Sequence, residues 1–98
     1  MAKKKAKLNP SADTWEIILD RNFREDLQYW VRQDRKLTLR LLALVDAIAT
    51  DPFAGIGKPE LLKHFRPNLW SRRLTQEHRV VYLVGDRKVY LLGARYHY

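Results

Sequence analysis

The hydrophobic positions change rhythm halfway along the chain. Phe23, Leu27, Trp30 and Val31 recur every three or four residues, and so do Leu37, Leu41, Leu44, Val45 and Ile48, which predicts two amphipathic helices. Asp34-Arg35 falls between the stripes and predicts a break short enough for the helices to pair as a hairpin. Asn22 with Glu25 three residues later has the form of a capping box and predicts the start of the first helix. Ahead of it, Trp15, Ile17 and Leu19 share one face of a predicted strand. Beyond Thr50-Asp51-Pro52, where the second helix is expected to end in a loop, the period drops to two. Leu69–Thr75, Arg79–Val84 and Lys88–Leu92 form three strands of a meander, turning at Thr75-Gln76-Glu77-His78 and at Gly85-Asp86. The predicted order is β-α-α-β-β-β, an α+β fold with a helical hairpin on one face of a twisted, mainly antiparallel sheet. The other face is left for function.

Composition narrows the class. Ninety-eight residues, 46% hydrophobic and 31% charged, make one folded domain rather than a disordered chain. Residues 1–14 read as a flexible basic extension and residues 15–98 as the folded domain. With no cysteine in the chain, disulfides, thiolate metal sites and cysteine nucleophiles are excluded, and a cytoplasmic location is expected. No apolar run approaches the ~20 residues of a membrane span, so no membrane partner is expected. His64, His78 and His97 lack metal-ligand spacing and no glycine-rich phosphate loop is present, so neither metal nor cofactor is expected. The net charge is +8, of which Lys3, Lys4, Lys5 and Lys7 supply half, so the body is basic without its extension. A basic body suits a polyanion, most often nucleic acid.

The candidate chemistry lies in the second half. Glu60 follows the stiff Gly57-Lys58-Pro59, with Lys58 as a nearby cation expected to keep it ionised, as a base requires. Arg72 and Arg73 occupy successive strand positions and must point to opposite faces. Arg79 opens the next strand, and His97 follows an apolar run, Val89 to Leu92, whose strand the tail is expected to continue. His64 and His78 are expected on the surface or in turns. A carboxylate, an arginine and a histidine suffice to cut RNA. The carboxylate takes the proton of the ribose 2′-OH, the arginine neutralises the phosphorane oxygens, and the imidazolium protonates the departing 5′ oxygen. DNA, lacking the 2′-OH, would resist. The terminal carboxylate of Tyr98 favours protonated His97, and Tyr96 and Tyr98 can stack on unpaired bases. The residues alone leave a second possibility open, in which Arg72, Arg73 and Arg79 hold phosphates without cutting and Glu60 merely pairs with Lys63.

Three segments carry a resemblance. Pro52 to His64 (PFAGIGKPELLKH), Leu69 to Tyr82 (LWSRRLTQEHRVVY) and Ala94 to Tyr98 (ARYHY) resemble the YoeB toxins of the RelE/ParE superfamily of bacterial toxin–antitoxin systems. The likeness covers about residues 15–98, including the helical hairpin and Trp30. It implies a microbial-ribonuclease-like fold and cleavage of mRNA in the ribosomal A site. The implied partners are the ribosome with its rRNA, mRNA, a YefM/Phd-type antitoxin and a possible second copy of the chain. By the same resemblance Glu60 is the general base, Arg79 stabilises the phosphate, His97 is the general acid and Tyr98 is the terminal tyrosine of the site. Lys58, Lys63, Arg72 and Arg73 are expected to contact phosphate or orient the site. The chain departs from the family pattern in its basic extension, which would add attraction for ribosomal RNA, and at Phe65-Arg66-Pro67-Asn68, where a glycine-containing turn is common. Pro67-Asn68 is expected to turn as well. Two further readings stay open: a ParE-like toxin that poisons DNA gyrase without cutting RNA, since fold does not fix function, and a non-catalytic RNA-binding module.

Overall fold

A computed structural model describes residues 15–96. The chain runs β1 (Glu16–Leu19), α1 (Arg21–Gln33), α2 (Arg35–Thr50), β2 (Glu60–Leu61), β3 (Leu69–Arg73), β4 (Arg79–Val84) and β5 (Lys88–Gly93). The five strands form one sheet in the order β1-β5-β4-β3-β2. Only β1 against β5 is parallel; the other three pairings are antiparallel. The α+β fold is the expected one with one strand added. β2 is two exposed residues paired with Ser71 and Trp70, too short to leave a periodic signal.

The first strand and the helices differ from expectation in three details. The predicted capping box does not form: Asp20, in extended conformation, precedes α1, while Asn22 lies within the helix and its Nδ2 donates to the Leu92 carbonyl at 3.4 Å. Val31 is 62% exposed, and α1 instead buries Phe23, Asp26 and Trp30. Leu19 likewise faces solvent, while Trp15 and Ile17 pack on the core. The break at Asp34 is as expected, and one residue performs it. Its N–H closes α1 on the Trp30 carbonyl at 2.8 Å, and its carboxylate accepts the Leu37 N–H at 3.1 Å to cap α2.

Phe23, Trp30, Leu41, Leu44 and Ile48 from the helices close over Val80, Tyr82, Val84, Val89 and Leu91 from the sheet and Leu74 just past β3. Full burial of one such aliphatic side chain stabilises by about 1.5–3 kcal/mol. Because strand side chains alternate, the residues between these, Ser71 and Arg73 on β3 and Arg79, Val81 and Leu83 on β4, stand on the face away from the helices. Register places Glu60 beside Ser71 and Arg73 beside Arg79 on that face. The expected turn at Pro67-Asn68 is present: Asn68 takes a left-handed φ of 64°, and its carbonyl accepts the Val84 N–H. Among the described residues no helix is long and apolar enough to cross a membrane.

Candidate active site

Glu60, Ser71 and Arg79 meet on the open face of the sheet. Arg79 Nη1 donates to Ser71 Oγ at 2.6 Å and lies 3.3 Å from Glu60 Oε1. The Glu60 side chain is 59% exposed and that of Arg79 23%, so solvent and ligand reach the carboxylate while the guanidinium is partly walled in. The cation beside Glu60 is therefore Arg79, not Lys58 or Lys63; both lysines are exposed, and Lys58 takes a left-handed φ of 52°. Arg73 is also exposed on this face, and its N–H donates to the Gly57 carbonyl at 2.6 Å, tying the loop before Glu60 to β3. Ser71, fully buried, was missed by sequence reasoning. The signal available was parity: two residues before Arg73, it shares that residue's face.

Arg72 corrects an expectation. It is 0% exposed, and its guanidinium donates to the carbonyls of Asp51, Ala54 and Ile56 and to the Tyr82 hydroxyl. A phosphate in solvent cannot reach it, and its work is to hold the loop between α2 and β2. Tyr82 completes the cradle by donating to the Pro52 carbonyl at 2.7 Å, and burial pushes its phenol above its ordinary value. Gly55 (φ 126°) and Gly57 (φ 86°) let that loop close in. A Cβ on Gly55 would stand 3.0 Å from Arg72 Nη1, and one on Gly57 2.7 Å from Leu44 Cδ2.

The tail does not continue β5 beyond Gly93. Helix α1 takes hold of it: the Asp26 carboxylate accepts the Ala94 N–H at 2.8 Å, and Trp30 Nε1 donates to the Ala94 carbonyl at 2.9 Å. Arg95 lays its guanidinium over the Tyr29 ring, 3.7 Å from its centroid. Tyr96 then bends into a left-handed φ of 56° and docks on the start of β4. Its carbonyl accepts the Arg79 N–H at 2.9 Å, and its own N–H donates to His78 Nδ1 at 2.7 Å. His78, expected on the surface, is 9% exposed and packed between the rings of Trp30 and Tyr96. His64 is exposed as expected. His97 and Tyr98, and the lysine-rich extension, lie outside the described residues. Among the described residues no group of three or more His, Cys, Asp or Glu gathers as a metal site.

The arrangement presents a carboxylate able to accept a proton beside a guanidinium able to bind a phosphate oxygen, with the docked tail on the same arginine's backbone. Known proteins share the fold. Residues 19–98 match the family model described as "YoeB-like toxin of bacterial type II toxin-antitoxin system". Toxin RelK of Mycobacterium tuberculosis is 50% identical over 74 residues, 76% of this chain and 87% of that protein. Among solved structures, a YoeB dimer from Staphylococcus aureus superposes with a TM-score of 0.78 at 34% identity, covering 87% of this chain and 99% of that one. The toxin in a heterotetrameric YoeB–YefM complex of the same organism gives 0.74 at 34% identity, over 86% and 98%.

Proposed function

Because the chain belongs to the YoeB-like toxins of bacterial type II toxin–antitoxin systems, we propose that it is a ribosome-dependent endoribonuclease that cuts mRNA in the ribosomal A site and so stops translation. The observation that carries this reading is the Glu60–Arg79 pair on the open face, with Tyr96 docked on the Arg79 backbone. Glu60 takes the proton from a ribose 2′-OH as that oxygen attacks the adjacent phosphorus. Arg79, oriented by Ser71, neutralises the charge that builds on the non-bridging oxygens. The bond from phosphorus to the 5′ oxygen breaks, and His97 as imidazolium gives that oxygen its proton. The products are a 2′,3′-cyclic phosphate and a free 5′-hydroxyl. Tyr98 takes the role of the family's terminal tyrosine in this reading. Lys58, Lys63 and Arg73, all exposed around Glu60 and β3, hold flanking phosphates of mRNA or rRNA.

The same reading supplies the partners. The Staphylococcus aureus relatives are a dimer and a complex with YefM, and for this chain we take a YefM-type antitoxin as the inhibitor and a second copy as a possible mate, acting in the cytoplasm. Mapping of mRNA ends on programmed ribosomes tests the activity. Wild type is expected to leave cuts at the A-site codon and His97→Ala to leave none. An uncut message from wild type, with DNA damage on expression in cells, would replace this reading with gyrase poisoning. Tight ribosome binding without cutting would replace it with an RNA-binding module.

A further inference from the structure

We propose that His78 is a positioning residue for the acid half of this site, and that it acts as a neutral hydrogen-bond acceptor; the inference rests on the ribonuclease reading above. His78 is held on three sides. Its ring meets Trp30 edge-on at 4.8 Å between centroids and Tyr96 at 5.0 Å, and its Nε2 stands 3.6 Å from Glu77 Oε1. Its backbone is fixed by the β-turn, where Thr75 Oγ1 accepts the His78 N–H at 3.0 Å and the His78 carbonyl accepts from Leu74 and Thr75. A ring so held presents Nδ1 in one direction, and Nδ1 accepts the Tyr96 N–H at 2.7 Å. Since Nδ1 accepts, the ring hydrogen is on Nε2, the side facing Glu77.

Tyr96 needs that acceptor. Its left-handed backbone is costly for a non-glycine residue, and an N–H without a partner would add the loss of a hydrogen bond. The hydrogen bonds of its N–H to His78 and of its carbonyl to Arg79 N–H fix both peptide planes flanking Tyr96. The plane on the carboxyl side begins residue 97. His78 thus sets the direction in which the chain leaves Tyr96, next to the arginine that binds phosphate. The buried histidine that the cleavage steps leave unused becomes the jig for the one that they require.

Three substitutions separate this role from packing. Asn places its Oδ1 where Nδ1 stood and restores an acceptor, Gln carries its amide to the Nε2 position and leaves Tyr96 unpaired, and Leu only fills space. Single-turnover cleavage on programmed ribosomes is to be measured for wild type, H78N, H78Q, H78L and H97A, with ribosome affinity and thermal unfolding recorded for each. We expect H78N to stay within about threefold of wild type, while H78Q and H78L lose roughly 10- to 100-fold in the cleavage rate, the scale of a 1 Å misplacement of a reacting group, with ribosome affinity unchanged. Protection of the Tyr96 amide from hydrogen exchange should be kept in H78N and lost in the other two. That exchange measurement stands even if the ribosome assay is confounded by stability. Equal rates in all three variants, or Tyr96 protection unchanged in H78L, would overturn the positioning role. Failure of wild type itself to cut, or full cleavage by H97A, would instead overturn the ribonuclease reading on which it rests.

Discussion

Arg79 and Glu60 are joined through a third residue as well as by their own charges: the guanidinium that stands 3.3 Å from the Glu60 carboxylate is aimed by a 2.6 Å hydrogen bond to Ser71 Oγ. Ser71 pairs directly with Glu60 across β2 and β3, so one residue aims the arginine through its hydroxyl and holds the carboxylate alongside through its backbone. Glu60→Gln removes the proposed proton acceptor and leaves the exposed position filled. Cleavage on programmed ribosomes should fall by ~10²–10⁴-fold, the range of general acid–base contributions, with the unfolding temperature little changed. Ser71→Ala should cost cleavage less than Glu60→Gln but stability more, about 1–3 kcal/mol, because it removes the partner of a partly buried charge. Rate and urea midpoint measured on both variants test that crossing of effects.

Tyr82→Phe removes the hydroxyl that accepts from Arg72 Nε and donates to Pro52. The loss should be about 1–3 kcal/mol, the cost of leaving a buried polar group unpaired. It should also depend on pH. Burial raises the phenol of Tyr82 above its ordinary 10.0, against the opposing pull of Arg72. A group with a raised pKa in the folded state contributes fully below its unfolded value and loses that contribution as pH rises through the folded one. The stability advantage of wild type over Tyr82→Phe should therefore shrink above about pH 10. Urea midpoints of the two proteins at pH 8 and pH 11 check the sign.

Asp26→Ala should loosen the tail while leaving the open face in place, since it strips the Ala94 N–H of its only charged acceptor. We expect a stability loss of roughly 1–3 kcal/mol and a cleavage loss that exceeds what the unfolded fraction explains. Trp30→Phe, which keeps an aromatic ring and deletes the Nε1 donor to Ala94, should do the same more mildly. Comparing the fraction folded with the single-turnover rate separates the two effects.

Removal of Tyr98 alone should impair cleavage more than removal of residues 1–10. The first deletion takes away a residue proposed for the site, whereas the second takes away four lysines remote in sequence from every proposed site residue. If the reverse ranking is found on programmed ribosomes, the acid does not reside in the tail. The shortened amino terminus should also bind ribosomes with a shallower salt dependence, since each lysine on phosphate releases counterions.

The helices and the long strands were legible in the sequence because their burial is periodic: Leu41, Leu44 and Ile48 face the sheet, and Val80, Tyr82 and Val84 face them. That Glu60 and Arg79 could meet followed from strand parity, which puts them on one face. What could not be read was which of two neighbouring arginines stays open to solvent. Arg72 and Arg73 are adjacent and identical, and only the path of the loop from Asp51 to Ile56 determines that one of them is enclosed by carbonyls. The same holds for Asp26 and His78. Each is a polar residue whose partner lies in the tail, at sequence separations of 68 and 18, and no local pattern marks a hydrogen bond of that span. The missed cap is a matter of where the helix begins: α1 starts at Arg21, so Asn22 lies inside it and its amide donates to the Leu92 carbonyl instead.

The parallel pairing of β1 with β5 bears on how the toxin comes into being. β5 lies between β1 and β4, so the last of the described strands to be made is an interior one. Until residues 88–93 have been synthesised, β1 has no neighbour and the hairpin of α1 and α2 has no complete floor to rest on. Non-local closure of this kind is slow compared with helix formation. A nascent chain can hold its helices early, yet it has neither a finished sheet nor a docked tail while β5 is still inside the ribosome that makes it. The order of synthesis thus leaves the completion of the sheet, and the docking of the tail beside Arg79, to the end.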